Sequence, residues 1–106
     1  MTNNKIREKS KALNYLLRIE EIRHEQRELW KAHQSEVEGV NFLKKIKLHQ
    51  SYMRQRDKLD FEADELTDKY TMLLRKVKKF SKNDYLRYKD GLLDRRFVEF
   101  IFKDVS

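Results

Sequence analysis

Three histidines, His24, His33 and His49, and the carboxylates Asp60, Asp64 and Asp68 are the side chains of this sequence best suited to chemistry. A helix presents two imidazoles to one metal ion when they stand four residues apart. His24 and His33 do not, and no carboxylate pair completes a recognisable ligand set. His49 falls on an apolar line and is most simply a polar core residue that marks register. Asp60, Asp64 and Asp68 stack at i, i+4 and i+8. With no glycine-containing loop to wrap them round an ion and no concave scaffold, they form a solvated acidic face. There is no phosphate loop, Gly-x-Ser-x-Gly elbow or dinucleotide glycine pattern. The absence of cysteine removes thiolate metal sites and cysteine nucleophiles. The residues therefore read as non-enzymatic, with no catalytic, cofactor-binding or metal-binding positions.

A second chemistry is recognition of a polyanion. Tyr70, Arg75, Lys76, Lys78, Lys79, Lys82, Tyr85, Arg87, Tyr88 and Lys89 interleave bases with aromatic rings, and the formal charge is +7. The sequence pI is near 9.6. Against this, tyrosines at helical spacing are explained by packing, and acidic blocks elsewhere repel a phosphate backbone. Nucleic acid is the alternative partner, in the form of a basic dimeric regulator.

What must position all of these residues is helix. The 106 residues include no proline and two glycines, with 41 % charged and 39 % hydrophobic residues. So few breakers imply a small number of long helices. From Leu59 the apolar residues run Leu59, Ala63, Leu66, Tyr70, Leu73, Val77 and Phe80, a 4-3-4-3 seam that makes one stripe on a helix. A narrow stripe cannot bury itself, so it needs a partner within the chain or in another molecule.

Gly39, followed by Asn41 as a helix cap, predicts a reversal. The expected fold is all-α: one domain over 1–106, with helices at about 5–37 and 42–79 forming a long antiparallel hairpin. A shorter helical segment over 83–103 follows. The first half of the second helix reads as a line through Phe42, Ile46, His49, Met53 and Arg56, with a three-residue slip before Leu59. Ser81 and Asp84 read as a capping box with aspartate in place of glutamate, and Asp90-Gly91 as an interruption.

Charge agrees with the reversal. Residues 20–38 hold six acids and three bases, and residues 39–58 six bases and one acid, so a hairpin lays opposite signs side by side. Trp30, near the turn, either packs the hairpin tip or anchors an interface. In the last segment Leu86, Leu93, Phe97 and Phe100 point one way, and Tyr88, Leu92 and Phe102 another. A hairpin groove covers only one such face, so the segment is expected to turn the other towards a partner. The alternative is that it folds back and completes a three-helix bundle. The expected interface comprises Leu59, Leu66, Tyr70, Leu73, Val77, Phe80, Trp30, Phe97, Phe100 and Phe102. Its partner is a second copy or another helical protein.

A cysteine-free helical hairpin of this length with a tryptophan before the turn resembles the small proteins of type VII secretion, the WXG100 proteins and the helical partners of secreted toxins. Some toxin partners carry Phe-x-x-x-Asp towards the C-terminus, matched here by Phe80 with Asp84 and by Phe100 with Asp104. Trp-x-Gly itself is missing, since Lys31 and Ala32 follow Trp30. The resemblance implies a non-enzymatic secretion substrate or co-secreted partner that acts through a helical bundle. The N-terminal MTNNKIREKSK has no apolar run behind its charges, so no signal peptide is expected. No stretch is apolar enough to span a membrane. Synthesis in the cytoplasm and, for an exported protein, a leaderless route follow as expectations.

Overall fold

Gly39 sets the reversal. Its φ of +77° lies in the left-handed region that a glycine enters without steric penalty. The Val40 N–H returns to the Val37 carbonyl at 3.5 Å, and the Asn41 side-chain oxygen accepts the Lys44 N–H at 2.9 Å. One helix is thus ended and the next capped within four residues. In the computed structural model, which describes residues 2–103, with side chains from residue 4, α1 spans Thr2–Val37 and α2 spans Phe42–Val77. The two pack against each other as a hairpin. The described residues contain no strand.

Beyond α2 the expected single segment over 83–103 is broken into three pieces: α3 (Lys82–Leu86), a 3₁₀ turn (Gly91–Leu93) and α4 (Arg95–Ile101). Each break has a local cause. The Ser81 N–H donates to the Asp84 carboxylate at 2.7 Å, which starts α3 where the capping signal placed it. Gly91 has φ +62°. Asp94 then accepts the Arg96 N–H at 2.8 Å and caps α4.

The chain forms two compact units, residues 1–19 with 66–106 and residues 20–65. In the first, Ala12 and Leu16 of α1, Tyr70 and Leu74 of α2, and Phe97, Val98, Ile101 and Phe102 of the last segment make one core. The expectation that this last segment turns an aromatic face outward is overturned there. Phe97 is 0 % and Phe102 2 % exposed, because the segment folds back and covers both helices of its unit. Breaking the segment lets apolar residues that point two ways on a single helix converge on one core.

In the second unit the buried residues are Ile22, Tyr52, Ala63 and His33. Tyr52 corrects the expected line through Phe42, Ile46, His49 and Met53. The line facing α1 runs Leu48, Tyr52, Arg56, Leu59 and Ala63, in steps of 4, 4, 3 and 4, without the two successive three-residue steps expected before Leu59. Tyr52 takes the inward position because its ring stacks on His33 at 4.6 Å and 10°. Phe42 and Ile46 are then carried outward.

Candidate functional site

The most ordered polar chemistry lies in the first unit, around Asp94. Its carboxylate accepts the Lys89 N–H at 3.1 Å, the Arg96 N–H at 2.8 Å and the Arg96 Nη2 at 2.8 Å. The hydrogen bond from the Arg96 side chain, with those from the backbone, holds the Asp94 carboxyl below its ordinary range, against the opposing effect of burial. The Arg96 guanidinium is raised in turn, chiefly by that same bond. Tyr70 donates its hydroxyl to the Leu92 carbonyl at 2.6 Å. Burial pushes that hydroxyl well up, and the negative charge of Asp94 adds to the effect. These groups already serve one another and the chain ends they join. They read as structural, since a carboxylate saturated by a cap and a guanidinium has no reactive lone pair to offer.

The expected interface residues divide between roles. Tyr70, Phe97 and Phe102 are buried in the first unit's core, and Leu66, Leu73, Val77, Phe80 and Phe100 are half-buried in the same unit. Phe80 meets Phe97 edge-on at 5.0 Å, and Lys78 lies 4.5 Å over the Phe100 ring. Leu59 is half-buried in the second unit. Asp84 is engaged in capping α3, and Asp104 lies outside the described residues.

Trp30, in the second unit, both packs and shows itself. It tilts against Tyr52 at 5.6 Å and His33 at 6.0 Å, yet keeps 47 % exposure. His33 is buried, and its Nε2 stands 3.5 Å from Nδ1 of His49. Among the described residues, no group of three or more His, Asp or Glu side chains is placed to hold a metal ion.

Sequence reasoning missed Leu43 and Phe61, and set Phe42 and Ile46 on an inward line, among the apolar residues that the second unit leaves uncovered. Phe42 is 74 %, Leu43 73 % and Phe61 66 % exposed, with Ile46 beside them at 40 %. The signal was present in the spacing. Leu43 and Phe61 are eighteen residues, or five full helical turns, apart on α2 and so lie on one line of its surface. The residues between them on that line, Lys47, Gln50, Arg54 and Asp57, are polar, which hid the line from a search for apolar runs.

The first unit's counterpart is a basic groove lined by Lys11, Tyr15, Lys69, Met72, Leu73 and Lys76. Lys11 stands 5.9 Å over the Tyr15 ring. Residues 1–19 and 66–106 together carry sixteen Lys and Arg against seven Asp and Glu, while 20–65 carry nine against eleven. The net +7 is therefore +9 on one unit and −2 on the other. No helix among the described residues is long and apolar enough to cross a membrane.

Comparison with protein-family models, with curated proteins and with solved structures finds no match.

Proposed function

We propose that this chain is a non-enzymatic helical association module that uses the second unit's uncovered α2 face to bind another helical protein or a copy of itself. The observation that carries this is the exposure of Phe42, Leu43, Ile46 and Phe61 on a well-formed helix whose other side is already packed. Single apolar residues on a surface need no explanation, but aromatic and branched side chains gathered on one helix face mark interfaces. As its finer form, the module is a type VII secretion substrate or co-secreted partner. The hairpin of two 36-residue helices supports this, as does a tryptophan seven residues before the end of α1. Phe80 and Asp84 give it no separate weight, because packing and capping account for both.

The test uses the double variant Leu43→Asp/Phe61→Asp. The helical protein that elutes stoichiometrically with the full chain is identified by mass spectrometry, and the complex is rebuilt from separately purified components. The variant is expected to keep its helical circular dichroism and to lose the complex. Reconstitution that is undiminished by the two aspartates overturns the reading.

A second reading has its own observation, the +9 unit and its groove with three lysines and no acid among its lining residues. There the chain is a basic regulator whose lysines neutralise phosphates, with Tyr15 available for stacking. Its mark is nucleic-acid affinity that falls steeply and linearly with salt on logarithmic axes. Affinity that is flat in salt, or unchanged in Lys11→Gln/Lys69→Gln/Lys76→Gln, overturns it.

A further inference from the structure

The reversal at Gly39 brings together two histidines that lie sixteen residues apart in the chain. Nε2 of His33, on α1, stands 3.5 Å from Nδ1 of His49, on α2. That gap is long for a hydrogen bond, since N–H donors sit at about 2.7–3.2 Å from a good acceptor. It suits a different use of the same lone pairs. Two imidazole nitrogens held at about 2.0–2.1 Å by one tetrahedral metal ion stand about 3.3–3.4 Å from each other. The two ring centroids are 5.5 Å apart. Rings aimed straight at each other across this gap would stand further apart. At least one ring is therefore bent off the line between the nitrogens, as ligands of a common ion must be.

The surroundings hold the rings without using up their nitrogens. His33 is buried, and its Nδ1 has no hydrogen-bond partner among the described residues. Nδ1 is the nitrogen that keeps the proton when Nε2 binds a metal. Packing alone orients the pair: His33 stacks on Tyr52 at 4.6 Å and tilts against Trp30 at 6.0 Å, and His49 tilts against Tyr52 at 6.1 Å. Such a shell fixes the ligands before an ion arrives. His49 is exposed, and both rings border an open groove of about 480 Å³. The groove gives an ion a path from solvent and leaves room for water ligands.

We infer that His33 and His49 form a two-histidine site for a divalent transition-metal ion of the zinc, copper and nickel class, which imidazole suits, with water completing its shell. Bound there, the ion pins α1 to α2 beside the reversal. Two charged neighbours act in opposite senses. Lys45 also lines the groove and repels a cation, but its exposed, flexible stem lets the ammonium swing into solvent. Glu36 shares a smaller cavity with His33 and has the favourable sign. The four-residue rule that sets the histidines aside within one helix does not reach this pair, because its ligands come from two helices. The site is separate from the association reading, and each stands or falls on its own experiment.

Zinc chloride titrated into the chelator-treated full chain tests the inference, by calorimetry in a buffer that does not bind metals. One ion per chain is expected, with a raised Tm because the ion binds the folded pair and not the unfolded chain. Imidazole nitrogen NMR shifts should move at His33 Nε2 and His49 Nδ1. His49→Gln and His33→Phe are each expected to weaken zinc binding about tenfold or more. His49 is exposed, so His49→Gln leaves the core in place, and circular dichroism checks the fold of both variants. His24→Gln, at an exposed position of α1, should bind zinc as the wild type does. Absence of heat, Tm rise and nitrogen shift up to about millimolar zinc overturns the site. Zinc binding that survives undiminished in His49→Gln, or that is lost in His24→Gln, overturns it as well.

Discussion

The two units of this chain draw on the same pair of helices and end in different states. In residues 1–19 and 66–106 a third layer is present, and Ala12, Leu16, Tyr70, Leu74, Phe97, Val98, Ile101 and Phe102 close into one core. In residues 20–65 there are only two helices. Burial there reaches Ile22, Ala63, Tyr52 and His33, while Phe42, Leu43 and Phe61 stand in solvent. Two helices share one line of contact, whereas a third element turns a line into a volume. The difference teaches where stability and association separate. The unit with a third layer buries the larger core and carries the excess positive charge, while Ile6, Leu17, Met72 and Leu86 remain exposed on it. The unit without one keeps apolar surface available for another molecule.

The sharpest way to break this contrast is to empty the first unit's core. Phe97 is fully buried and meets Phe80, Tyr85, Tyr88 and Phe100 within 6.0 Å between ring centroids. Phe97→Ala is expected to lower unfolding free energy by about 3–5 kcal/mol, through lost burial and the cavity left behind. Hydrogen exchange should localise the loss to residues 1–19 and 66–103, with protection in 20–65 much less changed. Uniform loss of protection along both helices would show that the two units fold as a single cooperative body.

A smaller effect is expected at Asp94. Asp94→Ala removes the cap of α4 and two further donor contacts, with an expected cost of about 1–2 kcal/mol. The contribution depends on pH in a defined direction. The folded carboxyl lies below its ordinary value, chiefly because of the Arg96 side-chain bond, so ionisation favours the folded state. The stabilisation is complete above the ordinary carboxylate range of about 4 and is lost as pH falls through the lowered folded value. Urea melts of wild type and variant should therefore differ at pH 7 and converge in strong acid. A gap that persists unchanged to pH 2 would show that the carboxylate charge contributes nothing.

These elements also show how far the sequence carried. The reversal at Gly39 and Asn41 was legible because the signals are local: one residue must reach positive φ and the next must accept an orphan N–H. The seam from Leu59 was legible as a seam, but not its destination. Periodicity says that a stripe must be covered and is silent on whether the cover lies tens of residues away in the same chain. Leu74 escaped for a related reason. A strict 4-3 line passes through Leu73, while a third layer widens the buried stripe to include its neighbour. Tyr52 escaped because Phe42, Ile46 and Met53 offered a more apolar line. The stacking of Tyr52 on His33, a contact between helices, decided the rotation. The exposed Leu43–Phe61 line was hidden by the charged residues between its ends.

The mildest test of the comparison addresses His33, the second unit's one buried polar side chain. Its ring stacks on Tyr52, its Nε2 stands at 3.5 Å from His49, and its buried Nδ1 has no hydrogen-bond partner among the described residues. A long hydrogen bond on one nitrogen offsets little of the cost of desolvating the other. Phenylalanine keeps the flat ring and the stacking with Tyr52 and Trp30 while removing both nitrogens. His33→Phe is therefore expected to be neutral or to stabilise the chain by up to about 1 kcal/mol, read as a raised Tm at pH 7. In the first unit the comparable change, Tyr70→Phe, removes a hydroxyl bonded at 2.6 Å to the Leu92 carbonyl and should cost about 1 kcal/mol. Opposite signs for the two substitutions would place the satisfied polar core in one unit and the unsatisfied one in the other. A clear loss of stability in His33→Phe would instead mean that the His33–His49 pair holds the hairpin's register, and that the second unit depends on polar specificity as much as the first.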